Sequence, residues 1–198
     1  MSEITATGWD LPDAAHRALR WAVLGVAGQD WNQPTPCSQW NVTQVLQHAA
    51  GDQLAWAAAI TGGPAPSENP FTPSGHLDGA PQALAEQALQ ASASAWAAVS
   101  EDAPNVPTPL PQGALPARLA AGAFALHVAV HAWDLAVATG QNSPLTPDLA
   151  RPLMTVAASI IEPLRAYGAY APALERRTED DEVAVLLRYL GRRPDWTA

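Results

Sequence analysis

Two histidines in an apolar stretch, "ALHVAVHAWDLA" at 125–136, are residues whose type and spacing could do chemistry. His127 and His131 are four positions apart, so on an α-helix both imidazoles point from one face into the same space. His48 is a third histidine in an apolar stretch with helical periodicity. If the two helices are neighbours, the three imidazoles can bind one divalent metal ion and leave a coordination position open. An open position is typical of a catalytic metal rather than a structural one.

A structural interpretation of these histidines stands beside the metal hypothesis. A histidine on an apolar helix face is commonly a core residue with its N–H hydrogen-bonded, and the H-x-x-x-H spacing also arises by chance. Val128 stands where the H-E-x-x-H motif carries its glutamate base, so peptide hydrolysis is not favoured. If a metal binds, histidine nitrogens suit several transition metals; we expect Zn²⁺, with Ni²⁺ and Fe²⁺ as alternatives.

Two aspartates lie near the candidate ligands. Asp52 is four residues after His48, and Asp134 is three residues after His131. At these spacings each carboxylate can orient an imidazole or offset the charge of a metal, although a solvated position or a local helix contact explains them equally well. Three neutral imidazoles leave the charge of a divalent ion uncompensated, so an anionic fourth ligand such as hydroxide or thiolate should bind well.

Cys37, Arg192 and Arg193 are further candidates for chemistry. Cys37 precedes the helix of His48, where the helix dipole favours a thiolate nucleophile, but a lone cysteine is more often a small buried hydrophobic residue. We expect it to lie about three helical turns from His48, too far to be a ligand. Arg192 and Arg193 follow Gly191 and could hold a substrate carboxylate or interact with the carbonyl groups of their own helix end.

Composition excludes several classes of function. The 198 residues carry 10 basic and 19 acidic side chains, a net charge of −9, which argues against a nucleic-acid partner. All basic residues are arginines, which excludes a Schiff-base lysine and a phosphate-loop lysine. A single cysteine, no signal-like N-terminus and charged residues within the most apolar stretch, 115–139, predict a cytoplasmic protein that does not span a membrane.

Helical periodicity interrupted by segments rich in proline and glycine predicts an all-α fold. We expect helices over about 12–28, 41–61, 81–100, 115–139, 147–170 and 181–190. Asn41 as N-cap and Gln44 three residues later form a candidate capping box. The pattern indicates one domain, 1–198, built as a four-helix bundle with additional short helices and proline-rich loops. The loop at 61–75 either borders the mouth of a site or is a flexible connection.

Three segments resemble a known group of proteins: "PTPCSQWNVTQVLQHAAG" at 34–51, "HAWDLAVATGQ" at 131–141 and "LLRYLGRRPDW" at 186–196. They are similar to actinobacterial-type proteins related to the N-terminal domain of mycothiol-dependent maleylpyruvate isomerase, within the DinB/YfiT-like superfamily of metal-binding four-helix bundles. The resemblance implies a DinB-like bundle with His48, His127 and His131 as metal ligands. His127 stands where the isomerase relatives typically carry an acidic residue, and the three-histidine set is similar to that of many DinB-type proteins.

The resemblance also implies a class of activity. The superfamily includes enzymes that use a low-molecular-weight thiol, such as mycothiol or bacillithiol, and bind its sulfur at the metal. We expect a divalent-metal, thiol-dependent transferase or isomerase in which the metal lowers the pKa of the thiol and the thiolate attacks a small electrophile. The isomerase relatives carry a further C-terminal domain for which this sequence leaves no room, so maleylpyruvate is not the expected substrate.

Two alternatives remain open. One is a metal-dependent hydrolase that uses metal-bound hydroxide. The other is a non-catalytic bundle that binds a metal or a small ligand, or only packs its histidines, and that can form a homodimer through an exposed helix face.

Overall fold

The computed structural model describes residues 6–197, which fold into six α-helices and one 3-10 turn. The helices are α1 (Asp10–Leu24), α2 (Val42–Thr61), α3 (Pro81–Ala97), α4 (Ala117–Ala138), α5 (Pro147–Ala166) and α6 (Glu182–Tyr189), and the 3-10 turn is Asp30–Asn32. Between residues 6 and 197 no β-strand forms, and strand-like pairing is limited to two isolated bridges. The predicted all-α class is confirmed, with helix ends shifted by a few residues.

Helices α1, α2, α3 and α4 form the bundle. Helix α1 packs against α3 and α4, and α2 packs against the same two helices. Helix α5 packs on α4, and α6 packs on α5. The arrangement is the predicted four-helix bundle with additional helices, and it makes α2 and α4, which carry the three candidate histidines, direct neighbours.

Helix α4 is the core helix of the bundle. By length and composition it could cross a membrane, but 89% of its most apolar window is buried inside the protein. A helix that is apolar on every side is typical of such a buried position. Phe124 on α4 contacts Trp56 of α2 and Trp96 of α3, with ring centroids 5.9 and 5.6 Å away. These aromatic contacts tie three helices together.

The start of α2 follows the predicted capping box. The Gln44 backbone N–H donates to Asn41 Oδ1 at 2.9 Å, and the Asn41 N–H donates to Gln44 Oε1 at 3.1 Å. The helix ends at Gly62, whose φ of 71° lies in the left-handed region that favours glycine. Both ends of the helix that carries His48 are therefore set by local sequence.

Helix α1 ends earlier than its sequence pattern predicts, at Leu24 instead of residue 28. Gln141, from the connection between α4 and α5, donates to the Ala22 carbonyl at 2.9 Å. A Cβ atom on Gly25 would lie 2.0 Å from Gln141 Oε1, so the glycine makes room for this side chain. The predicted end was wrong because the residue that terminates the helix is distant in sequence.

His16 makes the stability of the bundle dependent on pH. This α1 residue is 2% exposed, and its Nε2 lies 3.1 Å from the Ser92 hydroxyl on α3. Burial lowers the pKa of His16 to about 4, against a smaller opposite effect of Asp13. The unfolded chain, with a histidine pKa of about 6.5, therefore binds a proton that the folded chain excludes as the pH falls below about 6.5.

We expect the free energy of unfolding to decrease by about 2 kcal/mol between pH 7.5 and pH 5 through His16 alone. The contribution is complete above pH 6.5 and is lost as the pH falls towards 4. Urea unfolding of the wild type and of His16→Gln, both in chelator and at both pH values, measures this decrease. The difference between the two proteins isolates His16, because all other titrating groups contribute equally to both. An equal decrease in both proteins would show that His16 does not titrate in this way.

Candidate metal centre

The three candidate histidines meet between α2 and α4. The ring centroid of His48 lies 4.8 Å from those of both His127 and His131, and the latter two are 4.5 Å apart. One nitrogen from each ring can be chosen so that all lie within 4.8 Å of one another. His48 and His131 are buried, while the side chain of His127 is 16% exposed. The structure thus brings the residues together, and their role as metal ligands stays a prediction.

Two of the rings are oriented by oxygen atoms at Nδ1. His48 Nδ1 lies 2.9 Å from the carbonyl oxygen of Pro70. A carbonyl only accepts, so this nitrogen carries the proton and donates. His131 Nδ1 donates to Asp134 Oδ2 over 2.9 Å. In both neutral rings the proton on Nδ1 leaves a free lone pair on Nε2, the form in which an imidazole binds a metal.

The ring of His127 also faces a carboxylate, but without an aligned hydrogen bond. Its Nδ1 lies 3.1 Å from Asp52 Oδ2, yet in the described part of the chain neither buried atom has an aligned hydrogen bond. Burial raises the pKa of Asp52 to about 7, against a smaller opposite effect of the Trp56 side chain. Both predicted aspartates therefore lie beside an imidazole, Asp52 next to His127 instead of His48.

The contact between His48 and His127 requires a proton or a cation between two ring nitrogens. Their Nε2 atoms are 2.9 Å apart. Because His48 carries its proton on Nδ1, its Nε2 presents a lone pair to the other ring. If His127 is neutral with its proton on Nε2, it donates a hydrogen bond to His48, and a shared cation would take the place of that proton. A metal ion would satisfy both nitrogens and the free Nε2 of His131 at once.

The imidazoles are held in the neutral form that ligates metals. Burial lowers the pKa of His48 to about 3 and also lowers those of His127 and His131. The neighbouring His131 adds to the effect at His48 and His127, whereas the hydrogen bond to Asp134 opposes it at His131. No proton has to be removed from these rings at neutral pH before a metal can bind.

Asp134 connects His131 to two residues from other parts of the chain. Arg192 donates through Nε to Oδ1 and through a terminal nitrogen to Oδ2, each over 2.8 Å, and the Cys37 thiol donates to Oδ2 over 3.3 Å. Burial on its own would raise the pKa of Asp134, but the charge and hydrogen bonds of Arg192, with the hydrogen bond from His131, lower it below its usual range. The carboxylate beside His131 is therefore ionised.

Cys37 lies beside Asp134, close to the histidine cluster. The segment before α2 folds back on itself through a bridge between Pro34 and Asn41, and this turn places Cys37 against Asp134. Burial raises the pKa of Cys37 to about 12 and Asp134 adds to the effect, which disfavours the thiolate nucleophile of the two interpretations.

The arginine expectations are also corrected. Arg192 holds a carboxylate, but that of Asp134 on α4 rather than that of a substrate. Arg193 points elsewhere: its side chain is 67% exposed and lies 3.5 Å from Asp195. Sequence reasoning missed the link between Arg192 and Asp134 because no local pattern relates positions so far apart.

The proline-rich loop between α2 and α3 borders the histidine cluster, one of its two predicted roles. The Gln47 side chain ties the loop to α2 through three hydrogen bonds of 2.8–2.9 Å, to Ser74, Gly75 and His76. The Pro70 carbonyl accepts the hydrogen bond from His48. The ring of Phe71, a residue that is 62% exposed, has its centroid 5.5 Å from that of His48. Trp40 lies 4.5 Å from the same imidazole. Aromatic side chains thus flank one side of the cluster.

Known proteins similar to this chain cover the segment that carries the three histidines. Residues 13–136 match the family model described as the mycothiol maleylpyruvate isomerase N-terminal domain, and this span contains all three histidines. Two uncharacterized proteins, from two strains of Mycobacterium tuberculosis, are each 32% identical over 181 residues, which is 87% of this chain and 92% of the relative. No solved structure matches the chain.

Proposed function

The chain belongs to the mycothiol maleylpyruvate isomerase N-terminal domain family, and on this premise we propose that His48, His127 and His131 hold one divalent transition metal ion. We further propose that the protein is a thiol-dependent transferase or isomerase. In this proposal the thiol is a small diffusible one, such as mycothiol or bacillithiol, and the substrate is a small electrophile. Zn²⁺ is the proposed metal, with Ni²⁺ or Fe²⁺ as alternatives.

The observation that carries the proposal is the orientation of the imidazoles. Nδ1 of each ring faces an oxygen atom, that of Pro70, Asp52 or Asp134. The Nε2 atoms of His48 and His127 lie 2.9 Å apart, so the two rings turn these nitrogens towards each other. Pro70 and Asp134 accept hydrogen bonds from His48 and His131, whereas His127 only faces Asp52. Imidazoles held at Nδ1 in this way, with their other nitrogens converging, are the usual arrangement of a histidine metal site.

The charges around the site favour an anionic fourth ligand. The Asp134 carboxylate is neutralised by Arg192, and the three imidazoles are neutral. Burial raises the pKa of Asp52, beside His127, to about 7, so this carboxyl group is only partly ionised at neutral pH and little negative charge faces a bound cation. A bound divalent ion supplies a Lewis acid that lowers the pKa of a thiol. The single cysteine of the chain does not supply this sulfur, because burial raises its pKa and its thiol donates a hydrogen bond to Asp134. The reacting sulfur would therefore come from a small thiol in solution.

The surroundings of the site fit a small, partly apolar substrate. Phe71 and Trp40 flank His48 and offer aromatic surface beside the proposed metal. The net charge of −9 does not favour nucleic acid as a partner, and α4 is buried in the bundle rather than free to enter a membrane. A cytoplasmic location, where small thiols are kept reduced, is part of the proposal.

Adduct formation between a thiol and monochlorobimane tests this activity. The protein is stripped with chelator, reloaded with Zn²⁺, Ni²⁺ or Fe²⁺, and assayed with mycothiol and with bacillithiol. We expect the rate to rise on reloading with at least one metal and to fall to the uncatalysed value in chelator. Equal rates with and without metal, or metal-dependent cleavage of esters in the absence of any thiol, would contradict the proposal, and the second result would support the hydrolase alternative.

A further inference from the structure

Arg192 joins the last helix to the metal centre. Helix α6 packs on α5, outside the four bundle helices, and the residues that follow α6 return to α4. The side chain of Arg192 is 11% exposed, and that of Asp134 is completely buried. The guanidinium binds both carboxylate oxygens, each over 2.8 Å. A two-pronged contact of this kind fixes direction as well as charge.

A tight turn aims Arg192 at α4. Gly191 has a φ of 78°, in the left-handed region, and the Arg192 backbone N–H returns to the carbonyl of Leu187 over 2.8 Å. A Cβ atom on Gly191 would lie 2.8 Å from the Ala171 side chain and 2.9 Å from the Pro172 carbonyl oxygen. Only glycine fits both the backbone angle and this close packing. The turn therefore sets the direction in which the arginine leaves the helix.

Both oxygens of Asp134 are held in place by this arginine. Oδ1 accepts from Arg192 Nε, while Oδ2 accepts from Arg192, His131 Nδ1 and Cys37. A carboxylate bound at both oxygens cannot rotate freely, so the direction from which it accepts the His131 proton is fixed. The plane of the His131 ring, and with it the direction of Nε2, follows from that contact.

We propose that Arg192 is a positioning residue of the metal centre, which orients the His131 ligand through Asp134. The inference rests on the proposed metal site, and Arg192 contacts neither the metal nor the substrate in it. Loss of the guanidinium should weaken metal binding by roughly 10- to 100-fold, the effect typical of groups that hold a ligand from behind.

The test compares Arg192→Lys and Arg192→Gln with Arg193→Gln. The control residue is the adjacent arginine, whose exposed side chain faces only Asp195 among the described residues. Zn²⁺ affinity is measured by competition with a chelator of known affinity, and the visible spectrum of the Co²⁺ form reports the ligand geometry. We expect wild-type affinity and spectrum for Arg193→Gln, a roughly 10- to 100-fold loss for Arg192→Gln, and an altered Co²⁺ spectrum. The Zn²⁺ affinity of Arg192→Lys should lie between those of the wild type and Arg192→Gln, because an ammonium group keeps the charge but cannot hold both oxygens of Asp134.

Measurements on the metal-free proteins show whether Arg192 has only a structural role. Their thermal unfolding is recorded first, and affinities are measured only where each variant is fully folded. If Arg192→Gln does not fold, Arg192→Lys, which keeps the charge beside Asp134, carries the comparison. Folded Arg192 variants with wild-type affinity and an unchanged Co²⁺ spectrum would overturn the inference while leaving the metal site intact. A wild type that binds neither Zn²⁺ nor Co²⁺ would overturn both proposals.

Discussion

Alanine in place of His131 is expected to leave the protein folded and to remove its tight metal site. The substitution takes away one of three nitrogen donors, so the loss of Zn²⁺ affinity should exceed the roughly 10- to 100-fold typical of residues behind the ligands. The fold should survive because Asp134 keeps both hydrogen bonds from Arg192, and no buried charge is left without a partner.

The matched control is His76→Ala, which removes a histidine whose side chain is 80% exposed and faces Asp78. Calorimetric titration of Zn²⁺ into chelator-stripped protein should give about one tight site for the wild type and for His76→Ala. It should give none of comparable affinity for His131→Ala. Equal titrations for the two variants would remove His131 from the ligand set.

Replacing Asp134 by alanine should cause a large loss of stability, about 3–5 kcal/mol in the metal-free protein. The substitution leaves the buried guanidinium of Arg192 without its carboxylate and removes the acceptor of both His131 Nδ1 and Cys37. A buried charge that loses its partner is costly, because no water replaces the lost hydrogen bonds.

Urea unfolding in chelator measures this loss against Asp148→Ala. Asp148 is 96% exposed and lies 3.7 Å from Arg151, a surface pair whose removal should have little effect on stability. The double variant with Asp134→Leu and Arg192→Met removes both charges together and should recover most of the stability. A similar loss for Asp134→Ala and Asp148→Ala would mean that the buried ion pair contributes little.

Local sequence patterns predicted much of this architecture. The spacing of His127 and His131 sets their shared helix face, and the capping box at Asn41 and Gln44 forms as predicted. These features depend on residues within one or two helical turns of each other. The apolar helical pattern around His48 suggested it as a third ligand, and the family resemblance placed it in the same set. The contact between α2 and α4 brings all three rings together.

The remaining parts of the site depend on contacts between distant segments. Arg192 and Asp134 meet only because α6 docks on α5 and the turn at Gly191 redirects the chain. Cys37 reaches the same carboxylate through a non-helical turn before α2. The early end of α1 depends in the same way on Gln141. Helical periodicity contains no information on which side chains of separate elements will share a carboxylate.

The metal content of the wild-type protein tests the central claim most directly. Untagged protein is purified without added metal or chelator and analysed by elemental mass spectrometry. The proposed site predicts about one equivalent of a single transition metal per chain, removable by chelator and restored by adding that metal. Protein that contains no transition metal, and that takes up none of Zn²⁺, Ni²⁺ or Fe²⁺ when they are supplied, would show that the three histidines form part of the core instead.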